Sequence, residues 1–438
     1  MSTPDNIALS TQSARSRRLT RFSWMNAVLL FSIAIGPVGT FVQLYLLELH
    51  GTVVDVSLAV TIYNLVSIPS VMLWGFITDR FHRRRPMIVA SFLSTSFILL
   101  SFSVAGTAYS VVLLYTLLSL TTSASTASLN LLILETEKRD RWATAFAKFS
   151  LFTSAGQVLG VFLGVAWSLF LPLRQLVVPL TILSLTSTCL ALLLVKEPPI
   201  TFERRVIVMN QYSLLERLKV VPYMFMRTPR LTDFKRIFRS LKYELTGFTP
   251  LLYLSIFLFY VSSGLFNTSF VPSLQSKGFS NMLVFSVTAV AMFFQAVSFK
   301  YAGRLVEKRS PLKAATAGLL LRLVCYGFIG IAIYMSSGLP FLFSTLILYT
   351  LAAGLAYAIY YTASNTAVFH TLGEHHQGSS LGVYSAMVGF ATVLGAFVSG
   401  FMSSLFGFQT TFITAAVCLM FSALLVKRLT MHAPSTAL

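Results

Sequence analysis

Apolar residues in this chain come in long runs, and polar residues gather between them. The runs stand near 22–47, 56–77, 87–105, 110–134, 142–170 and 176–195. A polar stretch over 196–247 follows, and six more runs stand near 248–271, 282–301, 312–335, 341–366, 380–402 and 409–426. A helix rises about 1.5 Å per residue, so roughly 20 apolar residues cross a hydrocarbon core of about 30 Å. Hydrocarbon offers the backbone no hydrogen-bond partner, which favours helices that satisfy their own groups. The pattern predicts an all-α membrane protein of twelve spans. Its expected units are a tail at 1–21, a six-helix bundle at 22–195, a basic linker at 196–247, a second bundle at 248–426 and a tail at 427–438.

Composition fits that class. Of 438 residues, 55% are hydrophobic and 11% charged, where a soluble domain carries about 25% charged residues. The formal net charge of +19 raises nucleic acid as a partner, but the location of the charge argues for lipid. Arg15, Arg17, Arg18 and Arg21 precede the first run, and ten Lys and Arg residues between Arg204 and Lys242 crowd the linker. Such clusters suit an anionic inner leaflet. Within the linker, Leu214–Leu218 and Phe234–Leu241 place apolar residues at helical intervals, as in helices lying on a membrane surface.

Loop charge sets the orientation. Arg80 to Arg85, Lys138 to Arg141 and Arg304 to Lys313 lie on one side, while the other holds only Arg174 and Lys277. Positive loops stay inside, so both termini are expected in the cytoplasm and the chain in the plasma membrane. The first run is too long for the core of a signal peptide and is expected to be retained. Cys189, Cys325 and Cys418 lie far apart within apolar runs, with no metal-ligand or disulfide spacing. No phosphate-binding loop, paired carboxylates or nucleophile–base set points to an enzyme, and no cofactor is expected.

One loop carries a motif. Trp74 to Pro86 reads Trp-Gly-Phe-Ile-Thr-Asp-Arg-Phe-His-Arg-Arg-Arg-Pro, a tight hairpin between the second and third runs. Gly75 is expected to let two helices approach, and Asp79 is the only acid of the hairpin. Gly303 to Pro311, Gly-Arg-Leu-Val-Glu-Lys-Arg-Ser-Pro, repeats it. The copies stand 228 residues apart at both the small residue (303 − 75) and the acid (307 − 79). A unit duplicated in parallel predicts two related bundles.

This spacing resembles the loop signature of the major facilitator superfamily, closest in general pattern to its drug-efflux-like members. His82 stands where that motif has a second small residue. Glu135 to Arg141 and Leu372 to Gly378 extend the resemblance across both halves. It implies two six-helix bundles related by a pseudo-two-fold axis. It also implies a gate in which Asp79 faces the helix start at Gly378 and pairs with Arg141, while Glu307 serves the fifth span in the same way. Gly75, Arg80, Arg83, Arg84, Gly303 and Lys308 complete the gating set, with the arginines meeting lipid or neighbouring acids.

The resemblance also places spans 1, 4, 7 and 10 around a central cavity. The expected lining is Asn26 and Gln43 from the first, Ser123 and Asn130 from the fourth, Tyr260 and Asn267 from the seventh, and Tyr349, Tyr357 and Tyr360 from the tenth. None of the chain's 14 acids falls mid-span. Coupling through a central carboxylate is therefore disfavoured, leaving Glu48 and Asp55 at the outer mouth as coupling candidates. Arg322 is the exception in the ninth run: it pairs with an anionic ligand, pairs with polar neighbours, or snorkels to the interface. Gly156, Gly160 and Gly164, like Gly395 and Gly400, mark close helix packing. The implied function is alternating-access transport of a small neutral or amphipathic organic solute by a monomer, with export favoured. The alternatives are uptake of a sugar or metabolite, and a transporter-like receptor or scaffold.

Overall fold

The computed structural model describes residues 23–81, 84–136, 142–195, 249–308, 310–335, 338–371 and 377–432. Among them, eleven helices are long and apolar enough to cross a membrane. The last, Gln377–His432, is 56 residues long and turns at Gly407, whose φ of 84° and ψ of 165° are non-helical. Only glycine takes that backbone without strain, so this element is two spans and the total is twelve. The linker at 196–247 and the tail at 1–21 lie outside the described residues, as do Lys138 to Arg141.

In chain order, the spans of the first half are Met25–Glu48, Val53–Phe81, Arg84–Phe102, Ala108–Thr136, Trp142–Phe170 and Val177–Leu194. Those of the second are Thr249–Ser276, Asn281–Lys308, Pro311–Met335, Leu339–Thr371 and the two arms of Gln377–His432. Several helices outrun their apolar stretch. The second continues to Phe81, the eighth to Lys308 and the twelfth to His432, since a helix leaving the membrane keeps its own backbone bonds. Leu429 remains buried in that last extension, past the expected end of the bundle.

Two spans depart from regular helix. The first breaks into Met25–Ile35 and Val38–Glu48 around Gly36 and Pro37, because proline supplies no N–H inside a helix. The tenth contains a π-helical segment, Thr350–Ala356, between Leu339–Tyr349 and Tyr357–Thr371. The wider turn shifts the register, so Tyr349 and Tyr357 do not stand at ordinary α-helical spacing.

The halves repeat one packing scheme. In the first, span 1 packs on spans 5 and 6, span 2 on span 4, and span 3 on spans 4 and 6. The second half follows with span 7 on the last helix pair, span 8 on span 10, and span 9 on span 10 and the last pair. Small residues allow the approach. A Cβ on Gly160 would stand 2.2 Å from the Ile33 carbonyl oxygen, and one on Gly156 2.6 Å from Ser32 Cβ. In the second half, a Cβ on Gly395 would lie 2.2 Å from the Val261 carbonyl oxygen.

Serines add hydrogen bonds between spans. Ser187 donates to the Ala27 carbonyl at 2.7 Å, and Ser262 to the Ala415 carbonyl at 2.7 Å. Ser96 donates to Ser184 at 2.8 Å, while Ser255 and Ser422 stand 2.9 Å apart. Each such bond in a membrane is worth about 0.6 kcal/mol on average, so the set matters more than any member.

The halves join through span 2 on span 11 and span 5 on span 8, two contacts related by the repeat. Ser57 donates to the Ala396 carbonyl at 2.7 Å, and a Cβ on Gly400 would lie 2.2 Å from Ser57 Cβ. A Cβ on Gly164 would stand 3.0 Å from the Phe285 ring. These points lie toward the end of the bundle away from the termini.

Replacing Gly160 by leucine puts a side chain where the first span's backbone already stands. Overpacking typically costs about 1–3 kcal/mol, and more where, as here, the obstacle is backbone. Gly160→Leu is expected to abolish a monodisperse peak in detergent, whereas Gly106→Ala, with no atom within 4 Å of its Cβ, should leave the melting temperature unchanged.

Candidate functional site

Between the halves lies a cavity of about 270 Å³, just below the roughly 300–1,000 Å³ typical of ligand sites. Gln43, Val60 and Asn64 line it from the first half, and Tyr260, Ser263, Gly264, Asn267, Thr268, Tyr357 and Thr392 from the second. Amides and hydroxyls at this depth in a membrane protein face protein or a cavity, because lipid cannot satisfy them. The Gln43 side-chain oxygen is buried and accepts no hydrogen bond from the protein. Asn64 turns its nitrogen back on the Val60 carbonyl at 2.8 Å.

Four expected residues meet here: Gln43, Tyr260, Asn267 and Tyr357. The others go elsewhere. Asn26 is exposed, and Asn130 is half-buried outside the wall. Ser123 is buried and donates to the Ser119 carbonyl at 2.7 Å. Ser119 in turn donates to the Tyr63 carbonyl, Ser91 to the Thr121 carbonyl and Trp74 to the Leu120 carbonyl. The fourth span's polarity thus binds it to spans 2 and 3, and it supplies nothing to this wall.

Tyr349 and Tyr360 also lie behind the wall. Tyr349 stacks on Phe270 with ring centroids 3.9 Å apart, and Tyr360 stacks on Phe259 at 3.9 Å. The π segment sets Tyr349 apart from Tyr357, whereas Tyr360 lies one turn beyond Tyr357 in regular helix. Asn64 and Thr392, on spans 2 and 11, were not expected from the sequence. An amide in the middle of an apolar run was the available signal at Asn64; for Thr392 there was none.

Arg322 is 1% exposed, so it does not snorkel to an interface. Its Nε and Nη2 donate to the Tyr326 hydroxyl at 2.8 and 2.5 Å. The guanidinium carbon lies over Phe259, Tyr326 and Tyr357 at 4.7, 5.0 and 5.4 Å from the ring centroids. Cation–π contact offsets part of the burial cost, which insertion scales put at roughly 2.5–3.5 kcal/mol for a mid-span arginine. Tyr357 is shared by this cluster and by the cavity wall.

The two outer acids have defined partners. Asp55 accepts from the Thr52 backbone N–H at 2.7 Å and the Thr52 hydroxyl at 2.8 Å, while its own N–H donates to Thr52 Oγ1. This reciprocal capping box starts the second span and occupies the carboxylate. Glu48 instead reaches across the halves, accepting from Asn281 Nδ2 at 2.7 Å.

At the opposite end, the side chains of Asp79, Arg80, Arg83, Arg141 and Glu307 lie outside the described residues. Arg84 is buried and donates to the Thr78 carbonyl, close to the C-terminal end of the second span, and Lys308 is exposed. No described atom stands within 4 Å of a Cβ on Gly75 or Gly303. The expected partners of this loop, at 137–141 and 372–376, lie outside the described residues. Among the described residues, no cluster of His, Cys, Asp and Glu has the makings of a metal site.

The chain matches the model of the Major Facilitator Superfamily over residues 24–339 and 252–437. It belongs to that family, whose members are transporters, and it is a multi-pass membrane protein. Solved structures agree in fold. A bacterial homolog of the human lysosomal transporter Spinster, inward-facing and unoccupied, is 16% identical over 96% of this chain and 98% of its own, with a TM-score of 0.70. A variant of the nucleoside transporter NupG is 13% identical over 94% and 99%, with a TM-score of 0.68. A variant of the peptide transporter POT, in complex with alafosfalin, is 12% identical over 94% and 95%, also at 0.68. Comparison with curated protein sequences yields no match.

Loss of the Glu48–Asn281 bond should weaken closure at this end by about 1–3 kcal/mol, since one partner is a carboxylate. Spin labels on Val104 and Leu339, exposed and in separate halves, report the separation. Glu48→Ala should enlarge the long-distance population; an unchanged distribution would show that the bond takes no part in closure.

Proposed function

We propose that this protein is a secondary transporter that carries a small polar organic solute across the plasma membrane by alternating access. The observation that carries the reading is the cavity between the two repeats, walled by hydrogen-bonding side chains from both. A solute touching both halves interacts differently with each arrangement of them, which is what a ligand needs to shift their balance. The partnerless oxygen of Gln43 supplies one such contact. No acid lies mid-span, so binding does not depend on a central carboxylate.

With the termini in the cytoplasm, the Ser57 and Glu48 contacts form the outer gate, closed here, and the protein faces inward. Export is the proposed direction, following the resemblance to drug-efflux-like members. The carrier works as a monomer with its basic linker against anionic inner-leaflet lipid. The neighbours named for nucleosides and peptides show how far solutes differ among proteins of this fold, so solute class must come from this chain's own wall.

Counterflow in proteoliposomes tests the reading. A loaded solute should drive uptake of its labelled counterpart, and Tyr357→Ala should weaken binding about tenfold, as expected when a buried contact worth roughly 1.4 kcal/mol is lost. Unaltered affinity would place Tyr357 in packing alone.

The inner motif is proposed as the second gate, with Asp79 braced against the start of span 11 and Arg141 when the cytoplasmic side closes. Asp79→Asn should lower flux about fivefold or more at normal expression, within the usual size of conformational coupling. Full flux would remove Asp79 from the gate.

A further inference from the structure

Arg322 bears on what the solute is. Its guanidinium is almost fully buried, yet the three rings around it and the Tyr326 hydroxyl bring no net negative charge. Its Nη1 is buried and has no hydrogen-bond partner in the protein. The chain's acids stand at span ends, in loops or in tails, and the two described outer carboxylates are bound to Thr52 and Asn281. A buried charge is ordinarily paired, and an intramembrane arginine without a counter-ion marks a place where one arrives.

The cavity is next to it. Tyr357 lines the cavity and also lies under the guanidinium. Its neighbour in sequence along span 10 is the π segment, a feature that locally loosens helix geometry. On the other side of the cavity stands the Gln43 oxygen, which lacks a donor. Behind one wall of the site a cation therefore lacks an anion, and within another wall a buried oxygen lacks a hydrogen-bond donor.

We infer that the solute is a small carboxylate bearing a hydroxyl or amide N–H, its carboxylate recognised by Arg322 and its donor by Gln43. Tyr357 stands between Arg322 and the cavity, so recognition requires that ring to swing off the guanidinium and onto the bound solute, where it keeps its contact. This rests on the transport reading and narrows it from a polar or neutral solute to an organic anion.

The test uses the purified full-length chain with lactate, malate and N-acetylglycine, beside the neutral lactamide, malamide and N-acetylglycinamide. Thermal shift reads binding and counterflow reads transport. At least one carboxylate should stabilise the protein and exchange, with its amide about tenfold weaker or more, as expected for loss of a charged hydrogen-bonded partner. Arg322→Gln should erase that preference, and Arg322→Lys, which keeps the charge but not the fork, should retain part of it.

If Arg322→Gln does not fold, the lysine variant and the wild-type carboxylate-to-amide ratio decide. Equal binding of acid and amide overturns the inference, as does a preference that survives Arg322→Gln. Silence from all three acids also overturns it: counterflow of a neutral solute would then leave the transport reading standing. Absence of any exchange, acid or neutral, across a wide panel would sink both.

Discussion

Every polar group inside this bundle must find its partner within the protein, because the surrounding hydrocarbon supplies none. That constraint accounts for the helices and for the way serine is used. Ser187, Ser262 and Ser57 each donate to a carbonyl on another span, so a hydroxyl that lipid would penalise becomes a tie between helices. The same constraint singles out the few groups that remain unmet. In a soluble protein, a free glutamine oxygen would be hydrated and uninformative. At Gln43, beside a cavity between the halves, it has meaning.

Close approach is the second half of the design. The fifth span carries Gly156, Gly160 and Gly164, and the first two sit against the broken part of the first span, where Gly36 would collide with Gln157 if it had a side chain. The break at Pro37 and the small-residue face are thus one feature: the kink brings backbone to backbone, and glycine makes room. In the second half, Gly264 and Gly395 play the corresponding part on spans 7 and 11. Gly164 and Gly400 face across the halves instead. Packing within a half and packing between halves therefore lie at different heights on the same two spans. The alternating access proposed for this chain needs such a division, since one set must hold while the other lets go.

Much of this was legible in the sequence, for identifiable reasons. Twelve apolar runs give twelve spans because the membrane imposes length and hydropathy together. The duplicated loop at Gly75 and Gly303 announces the repeat that the packing scheme follows. Less legible was which polar residue faces what. The fourth span reads as a cavity wall, with Ser, Thr and Asn at helical spacing, yet Ser119 and Ser123 are spent on neighbouring backbone. A hydroxyl bonded to another helix and one facing a cavity look alike in one sequence. Tyr349 shows a different cause: a π turn between it and Tyr357 breaks α-helical periodicity, while Tyr360, in regular helix three residues after Tyr357, turns its ring onto Phe259.

Charge divides the two ends of the site in a way that follows from depth. Glu48 lies at a helix end, where water and Asn281 share the cost of its charge, and it is suited to a contact that is made and broken. Arg322 lies where no water shares that cost, and aromatic faces hold it in place without neutralising it. An acid from the protein in that cage would make a permanent pair and leave a solute nothing to gain. Rings lower the cost of keeping the charge buried while leaving most of its attraction for an anion available. A cation held by quadrupoles is therefore better prepared for a visiting carboxylate than one held by a carboxylate of its own.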